Sequence, residues 1–428
     1  MSQRLYYMKT KYILLNLVLS AALTPCFAGD KISFLAFGDG GYHPDYPKQK
    51  HIDKPKTKTE FIAAEKADWQ EEHRPMSDFG HAPIYIYPGT TIATEDTGAA
   101  SVGQAMATLC KSVICDFGIQ LGDNIYPDGA DANDGKDDQK RMNDLILTPL
   151  QPLFKQVPHM VVYSALGNHD WKTSRKGVAL QTAWMAKQPN FHMDKQGYYS
   201  YKQGEHGNDV EFFVLDTNML LSGQHYYEIP LAKDGSEQGL ATALASGVAK
   251  IEEIENHEVP LNGEDHKQLA WLANGLKQST AKWKIVYGHH VLWSIGGTKY
   301  DEAHVLRRLI LPELCQYADA YIAGHEHDLE LLSDDCSRVS NSNKPPLPLI
   351  ISGAASKMRG IHRGLAEYQE KQFQEYELIW NKAFTWGFAH IEIDNVKNQL
   401  DVNFYSTPTD KSGKLIKEKS FSFKHRSN

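Results

Sequence analysis

The chain has 428 residues, of which 41% are hydrophobic and 23% are charged. This balance is ordinary for a globular protein with a large core, and it excludes the disordered and low-complexity classes. The formal net charge is −8 at pH 7 with neutral histidines, so the chain lacks the basic footprint of a nucleic-acid-binding domain. We therefore expect no nucleic-acid partner.

The N-terminus has the pattern of a signal peptide. Basic residues precede a largely apolar run at 13–22, and Ala28 is a small residue at a plausible cleavage point. The run is shorter than the roughly 20 apolar residues of a membrane span, and Pro25 interrupts it, although an uncleaved anchor is the alternative. We expect residues 1–28 to be removed and 29–428 to be periplasmic or secreted, without a stable membrane anchor.

The cysteines fit an oxidising compartment. Of the five, Cys26 leaves with the signal peptide, and an even number remains, which permits two disulfides in three possible pairings. Proximity in sequence favours Cys110–Cys115 and Cys315–Cys336. The alternative is that some of them are buried free thiols.

Periodicity and glycine or proline breaks predict an alternation of strands and helices. In chain order these are strand 32–37, helices 60–72 and 97–111, strand 116–121, helix 139–154, strand 157–166, helix 181–187, strands 198–202 and 210–215, helix 263–278, strand 283–287, helix 304–315, strands 320–323 and 347–352, and antiparallel strands 388–393 and 400–404. Helix 263–278 carries an apolar stripe of Leu269, Leu272 and Leu276. Residues 231–257 are predicted to be a loop with helical turns.

Five of these strands share a feature at their ends. Each is cut off by a glycine, and residue types that bind metals follow at once. The junctions are FGDGG at 37–41, GDNIY at 122–126, GNHD at 167–170, GHH at 288–290 and GHEH at 324–327. Ligands of open α/β sheets bind beyond the carboxyl ends of strands, and glycine lets the backbone turn sharply beside an ion. The junctions are therefore expected to meet at one site in one domain.

Asp123 and Tyr126 suggest a pair of metal ions. A carboxylate can bridge two cations because each oxygen can hold one. A tyrosine, with an ordinary pKa near 10, is a good ligand only when a highly charged metal draws off its proton. The alternative is a strand that ends in an Asp-Asn turn with the tyrosine packed beside it.

The ordered set of five motifs resembles the purple acid phosphatases, within the calcineurin-like metallophosphoesterases, and in particular their small, tartrate-resistant type. The resemblance covers most of 29–428, including segments at 214–217, 350–354 and 386–390. It implies an α/β fold of mixed α+β character, a sandwich of two mixed β-sheets flanked by α-helices, in one catalytic domain.

The resemblance also implies a ligand set. It consists of Asp39, Tyr126 and His327 for a ferric ion, Asn168, His289 and His325 for a divalent iron, zinc or manganese ion, and Asp123 as the bridge. The chemistry agrees independently, since carboxylates and a phenolate supply the hard anionic oxygen that a small trivalent ion demands, whereas imidazoles and an amide suit a divalent ion.

The implied activity is that of an acid phosphatase, in which a metal-bound hydroxide attacks the phosphorus of a small phosphomonoester. His169 would stabilise the transferring group or protonate the leaving alcohol. Asp170 would orient His169, or alternatively cap a turn. Two other functions stay open: a divalent-metal phosphodiesterase or nucleotidase of the same superfamily, and an exported metal- or phosphate-binding protein without catalysis.

The chain departs from the small family members in two places. Residues 42–97, with a lysine-rich run at 48–58, form an insertion that either roofs the active site or only elaborates the surface. The loop at 293–300 lacks a histidine that is often found there, and His304 either replaces it or begins a helix. The general acid is thus open.

Three further residues lie near the motifs in the sequence and are not expected to act as catalytic groups. His290 adjoins a ligand, but its side chain is expected to point elsewhere. Lys357 and Arg359 could meet the charge of a substrate, but the favoured interpretation is that both are solvated surface residues.

Overall fold

The computed structural model describes residues 31–133, 136–204, 209–228, 250–253, 262–297, 299–340 and 343–426. The predicted signal peptide lies outside the described residues. The strands are β1 Lys31–Phe37, β2 Lys56–Thr57, β3 Ile84–Ile86, β4 Ile92–Glu95, β5 Phe117–Leu121, β6 Val162–Ala165, β7 Phe191–His192, β8 Tyr199–Gln203, β9 Val210–Val214, β10 His225–Glu228, β11 Lys250–Glu253, β12 Trp283–Tyr287, β13 Ala320–Ala323, β14 Leu329–Asp334, β15 Leu347–Ser352, β16 Tyr376–Lys382, β17 Trp386–Asp394, β18 Gln399–Thr407 and β19 Ile416–Lys424.

The helices connect these strands. They are α1 Gln49–Asp53, α2 Lys58–Glu71, α3 Ala99–Leu109, α4 Lys136–Met142, α5 Gln151–Gln156, α6 Arg175–Met185, α7 Thr217–Leu221, α8 Gln268–Gln278, α9 Tyr300–Tyr317 and α10 Arg363–Gln372. Short 3₁₀ turns lie at Met76–Asp78, Thr148–Leu150 and Asp265–Lys267, and a π turn at Asn143–Leu147. Within the described ranges, no helix is long and apolar enough to cross a membrane.

Two seven-stranded mixed sheets form the body of the protein. The first has the order β19-β18-β17-β1-β5-β6-β7, in which β1, β5, β6 and β7 run parallel and β17 to β19 continue antiparallel. The second has the order β16-β14-β15-β13-β12-β9-β8, with a parallel centre of β15, β13, β12 and β9 and antiparallel strands at both edges. The predicted sandwich of two mixed sheets is thus confirmed.

The core lies between the sheets, and the period of two in each strand decides which side chains enter it. Phe212 of β9 belongs to this inner core, whereas its neighbour Phe213 packs in a second core on the outer face of the same sheet. Phe34 of β1 stacks on Phe117 of β5 with ring centroids 5.1 Å apart, and it meets Phe212 edge-on at 5.3 Å. Each such pair adds about 0.5–1.5 kcal/mol beyond area burial, so these contacts help to join the sheets.

The helices differ from the prediction in detail. In α8, Leu272 and Leu276 are buried, but Leu269 is 36% exposed, so the predicted stripe is wrong at that position. Helix α9 begins at Tyr300, one turn before His304, and acidic residues in its first turn favour that earlier start through the helix dipole.

Two predicted segments are broken up differently. The predicted helix 139–154 consists of several short turns, since Pro149 and Pro152 lack the amide hydrogen that a continuous helix needs. Within the predicted loop 231–257, the described part, Lys250–Glu253, is a strand paired with β10, in place of helical turns.

Both predicted disulfides are confirmed. Cys110–Cys115 and Cys315–Cys336 have Cα–Cα distances of 5.7 and 5.6 Å. The second bond joins α9 to the segment after β14, and it therefore fastens the chain on both sides of the GHEH motif.

The insertion, residues 42–97, has a compact structure of its own. It contains α1, α2 and a three-stranded sheet of order β2-β4-β3. Trp69 of α2 is buried and stacks on Phe384 of the main domain, with ring centroids 6.2 Å apart. The insertion therefore shares a packed interface with the two-sheet body.

Arg74 fixes the insertion to two loops of the main domain. Its guanidinium donates to the carbonyl oxygen of Gly360 at 2.7 Å and to that of Gly296. Glu72 accepts from Nε at 2.6 Å, and the arginine side chain is only 6% exposed. Buried carbonyls need such donors, so the hydrogen bonds of Arg74 hold the insertion against both loops.

Candidate metal centre

The five motif junctions meet at one place, between the carboxyl ends of the two sheets. Asp39, Asp123 and Asn168 follow β1, β5 and β6 of the first sheet, whereas His289, His325 and His327 follow β12 and β13 of the second. Tyr126 lies on the same loop as Asp123. The structure thus brings the side chains of all seven predicted ligands together.

The first group of side chains surrounds the phenol of Tyr126. Its Oη lies 2.5 Å from Oδ2 of Asp123 and 3.1 Å from both Oδ1 of Asp39 and Nε2 of His327. Nε2 of His327 is 3.3 Å from Oδ1 of Asp39. These four side chains are buried, so three oxygens and one nitrogen converge on a small space without bulk water.

The second group surrounds His289. Its Nε2 lies 3.1 Å from Oδ1 of Asn168, 3.0 Å from Nδ1 of His325 and 3.4 Å from Oδ1 of Asp123. Nδ1 of His289 lies 2.8 Å from the carbonyl oxygen of Leu121, which fixes the ring. Asp123 therefore turns one carboxylate oxygen to each group, as a bridging ligand requires.

The backbone is strained at three of the ligand positions. Asp39, Asp123 and His325 have φ angles of 57°, 53° and 69°, in the left-handed region that costs a non-glycine residue about 1–3 kcal/mol. Gly122 has φ 88°, and a Cβ there would lie 2.8 Å from Nδ1 of His289. Such strain persists only where the surroundings enforce it, and it clusters at functional sites.

The electrostatics of the site fit bound cations. Burial and the neighbouring Asp123 raise the pKa of Asp39 well above its usual range, and burial with both carboxylates raises the pKa of Tyr126. Among the described residues, no lysine or arginine lies within ion-pairing distance of either carboxylate, and Nδ1 of His327 has no hydrogen-bond partner. Hard oxygens on one side and imidazoles with an amide on the other suit two metal ions.

His169 lies beside the first group, with its ring centroid 4.1 Å from that of Tyr126. Its backbone amide donates to Oδ1 of Asp123 at 2.9 Å, and its Nδ1 donates to the carbonyl oxygen of Pro127. Nζ of Lys172 lies 3.0 Å from both Nδ1 and Nε2. Burial lowers the pKa of His169 to about 3, with Lys172 acting in the same direction and Asp123 against it.

Asp170 forms hydrogen bonds with the loops around it and none with the ring of His169. Its carboxylate accepts hydrogen bonds from the amides of Gly167, Asn124 and Ile125 and from the side chains of Asn124 and Gln181. Of the two predicted roles of Asp170, the structure does not show orientation of His169, because the carbonyl oxygen of Pro127 accepts the hydrogen bond from that ring. The carboxylate instead caps its own turn and ties the GNHD loop to the GDNIY loop.

Glu302 is a site residue that the sequence analysis missed. Its Oε2 lies 2.8 Å from Nε2 of His325, which leaves Nδ1 of that ring toward His289. A carboxylate on the second ring nitrogen is the usual way to fix the tautomer of a metal-binding histidine. Glu302 lies in α9, far from His325 in sequence, and no local pattern marks it.

Two neighbours of the site behave differently from each other. The prediction for Lys357 was wrong, since its side chain is 13% exposed and forms an ion pair with Glu95 of the insertion. Arg359 is exposed as expected.

His290 is buried with its Nδ1 2.7 Å from Oγ1 of Thr217, which agrees with a structural role.

A cavity of about 810 Å³ adjoins the centre. Tyr126, Pro127 and His169 line it on one side, and residues of the 42–97 insertion line most of the rest. The insertion therefore borders the candidate site and is more than a remote surface elaboration.

The sequence is similar to those of known phosphoesterases. The family model of calcineurin-like phosphoesterases matches residues 76–329. Tartrate-resistant acid phosphatase type 5 of Sus scrofa is 26% identical over 295 residues, which cover 68% of this chain and 72% of that protein. Purple acid phosphatase 17 of Arabidopsis thaliana is 25% identical over 306 residues, with coverages of 70% and 75%. Both support the resemblance to purple acid phosphatases.

Solved structures support the fold alone. GAP50, described as the anchor in the inner membrane complex of Plasmodium, superposes with a TM-score of 0.54 at 15% identity, over 93% of this chain and 89% of that one. PhoD gives 0.50 at 13% identity, over 93% and 70%. Since the family model matches more than half of the residues, the chain belongs to the calcineurin-like phosphoesterase family.

Proposed function

We propose that the protein is an exported acid phosphatase that hydrolyses small phosphomonoesters at a centre of one ferric and one divalent ion. The observation that carries this proposal is the position of Tyr126, whose phenol oxygen lies among Asp39, Asp123 and His327. Burial and both carboxylates raise the pKa of this phenol, so only a strongly charged cation would ionise it. A ferric ion is the natural partner for such an oxygen-rich set.

The assignment of ligands follows the two groups of side chains. Asp39, Tyr126 and His327 would hold the ferric ion, Asn168, His289 and His325 the divalent iron, zinc or manganese ion, and Asp123 both. When bound, the pair supplies Lewis acidity toward the phosphate and acidifies the water that attacks phosphorus.

His169 is the candidate proton donor to the leaving alcohol. Because its Nδ1–H is engaged by Pro127, Nε2 is the ring atom left to carry that proton. Lys172, 3.0 Å from Nε2, adds positive charge where the phosphate oxygens would lie. An incoming phosphate dianion opposes the low pKa of His169, since a nearby opposite charge favours the imidazolium.

Export rests on the N-terminal pattern, with cleavage near Ala28, and is supported by the two disulfides, which are typical of oxidising compartments. We propose a periplasmic or secreted location on this basis.

The test is a visible absorption spectrum with metal analysis on the wild type, Tyr126→Phe and Tyr42→Phe. A ferric phenolate gives a broad visible band, which should vanish in Tyr126→Phe. Tyr42→Phe is the matched control, because its ring lies 6.2 Å from that of Tyr126 and it belongs to neither group of ligands. The control should keep the band.

The same preparations are assayed with p-nitrophenyl phosphate and bis(p-nitrophenyl) phosphate. A colourless wild type with two divalent ions and a preference for the diester would replace our proposal with a divalent-metal phosphodiesterase or nucleotidase. A fully metal-loaded protein that hydrolyses neither ester would indicate a binding protein without catalysis.

A further inference from the structure

The cavity beside the metal centre carries an excess of positive charge. Its lining includes eight lysine or arginine side chains and four aspartate or glutamate side chains, although the whole chain has a formal charge of −8. Two of the basic groups, Arg74 and Lys357, are paired with carboxylates of the insertion. The remaining excess is therefore concentrated in lysines and one arginine without such partners.

Three of these basic groups lie close to the centre. In the part of the chain that the structure describes, no carboxylate is within ion-pairing distance of Lys48, Lys299 or Arg359. All three side chains line the cavity that also borders Tyr126 and His169.

Lys48 comes from the insertion and faces the same space. Partial burial and the ammonium groups of Lys172 and Lys357 lower its pKa to about 8. The insertion, through Lys48, and the main domain, through Lys299 and Arg359, therefore both contribute unpaired cations to this cavity.

The reacting phosphate needs at most one of these three cations. In the proposed centre, a ferric and a divalent ion carry five positive charges, and the carboxylates of Asp39 and Asp123 with the phenolate of Tyr126 return three. The metal-bound hydroxide returns a fourth, so a phosphomonoester dianion leaves one negative charge unmatched, which is fewer than the three unpaired cations of Lys48, Lys299 and Arg359. Mutually repelling cations that stay unpaired beside such a site are typical of a place where a further anion binds.

We propose that this cavity binds a second phosphate group of the substrate, so that the preferred substrates are phosphomonoesters whose leaving alcohol itself carries a phosphate. Lys48, Lys299 and Arg359 bind that second group while the first lies at the metal centre. The inference rests on the proposed phosphatase function for the first phosphate and its hydrolysis, whereas the binding of the second phosphate rests on the cavity alone.

The first arm of the test is equilibrium binding, which needs no turnover. Calorimetry compares alkylene diphosphonates, with spacers of two to six carbons, with the alkylphosphonates of equal length. One charge-assisted contact corresponds to about a tenfold change in Kd, so the best diphosphonate should bind at least about ten times more tightly at low salt. Lys48→Gln and Arg359→Gln should each remove most of that difference.

Lys58→Gln is the matched control. It makes the same change of charge on the same insertion, but Lys58 is exposed and lies outside the cavity lining. If Lys58→Gln weakened diphosphonate binding as much as Lys48→Gln, only the general field of the insertion would be involved and the proposal would fail. Equal Kd values for diphosphonates and monophosphonates in the wild type would overturn it as well.

The second arm is kinetic and compares fructose 1,6-bisphosphate with fructose 1-phosphate. We expect kcat/KM to be higher for the bisphosphate than for the monophosphate. The quotient of these two kcat/KM values should fall toward one in Lys48→Gln but not in Lys58→Gln. Hydrolysis of both sugars at equal kcat/KM would refute the second-phosphate site and leave the phosphatase proposal intact. Tight diphosphonate binding without hydrolysis of either sugar would instead refute the phosphatase function.

Discussion

The substitution of Arg74 by methionine tests the attachment of the insertion. It keeps much of the aliphatic stem but removes the donors to the carbonyl oxygens of Gly296 and Gly360. Both glycines are buried, and each orphaned buried acceptor costs about 1–3 kcal/mol. Loss of the Glu72 pair adds little, because that carboxylate is 31% exposed. We expect a total of about 2–6 kcal/mol.

Hydrogen exchange of the α2 amides measures this change directly, because the insertion should open without unfolding both sheets. A loss of about 3 kcal/mol would raise the exchange rates of α2 about a hundredfold. Arg363→Met is the matched control, since Arg363 also bridges to the insertion, through Asp78, but its side chain is 57% exposed. An exposed pair contributes about 0–1 kcal/mol. Equal effects of the two substitutions would refute our reasoning about the buried hydrogen bonds of Arg74.

Three further predictions concern single features. Glu302→Gln should weaken binding at the divalent site about 10–100-fold, measured by competition with a chelator; an unchanged affinity would mean that Glu302 does not fix His325. Removing Cys315–Cys336 by double alanine substitution should cost about 3 kcal/mol of unfolding free energy in urea, and removing Cys110–Cys115 about 2 kcal/mol, because its loop is shorter; the opposite order would contradict the loop-closure argument. Gly41→Ala should prevent accumulation of folded protein, since a Cβ would lie 2.1 Å from the backbone oxygen of Asn124, whereas Gly263→Ala meets nothing within 4 Å and should behave as wild type.

The parts of the fold that depend on local sequence were predictable. Strands 283–287 and 320–323 coincide with β12 and β13, because a short β-branched or aromatic run before glycine is a local signal. The motif glycines also allowed the turns with the predicted ligands to be located in the sequence, since the chain must bend sharply where Asp123 and His325 adopt positive φ.

The parts that depend on distant contacts were not predictable. Glu302 is recognisable only once α9 lies against the GHEH turn, and the Lys357–Glu95 pair joins residues 262 positions apart. The role of Asp170 likewise depends on amides of another loop. In each case the sequence supplies an ordinary polar residue, and the packing of elements far apart in the chain decides its partner.

The division of the ligand set between the sheets has a consequence for maturation. One sheet supplies Asp39, Asp123 and Asn168, and the other supplies His289, His325 and His327. Neither sheet alone carries the complete proposed set for either ion, so an unfolded chain has no dinuclear site that metal could enter. In the proposed enzyme, metal would therefore bind only after the two sheets have packed together, and the bound pair would then link the two sheets without a covalent bond.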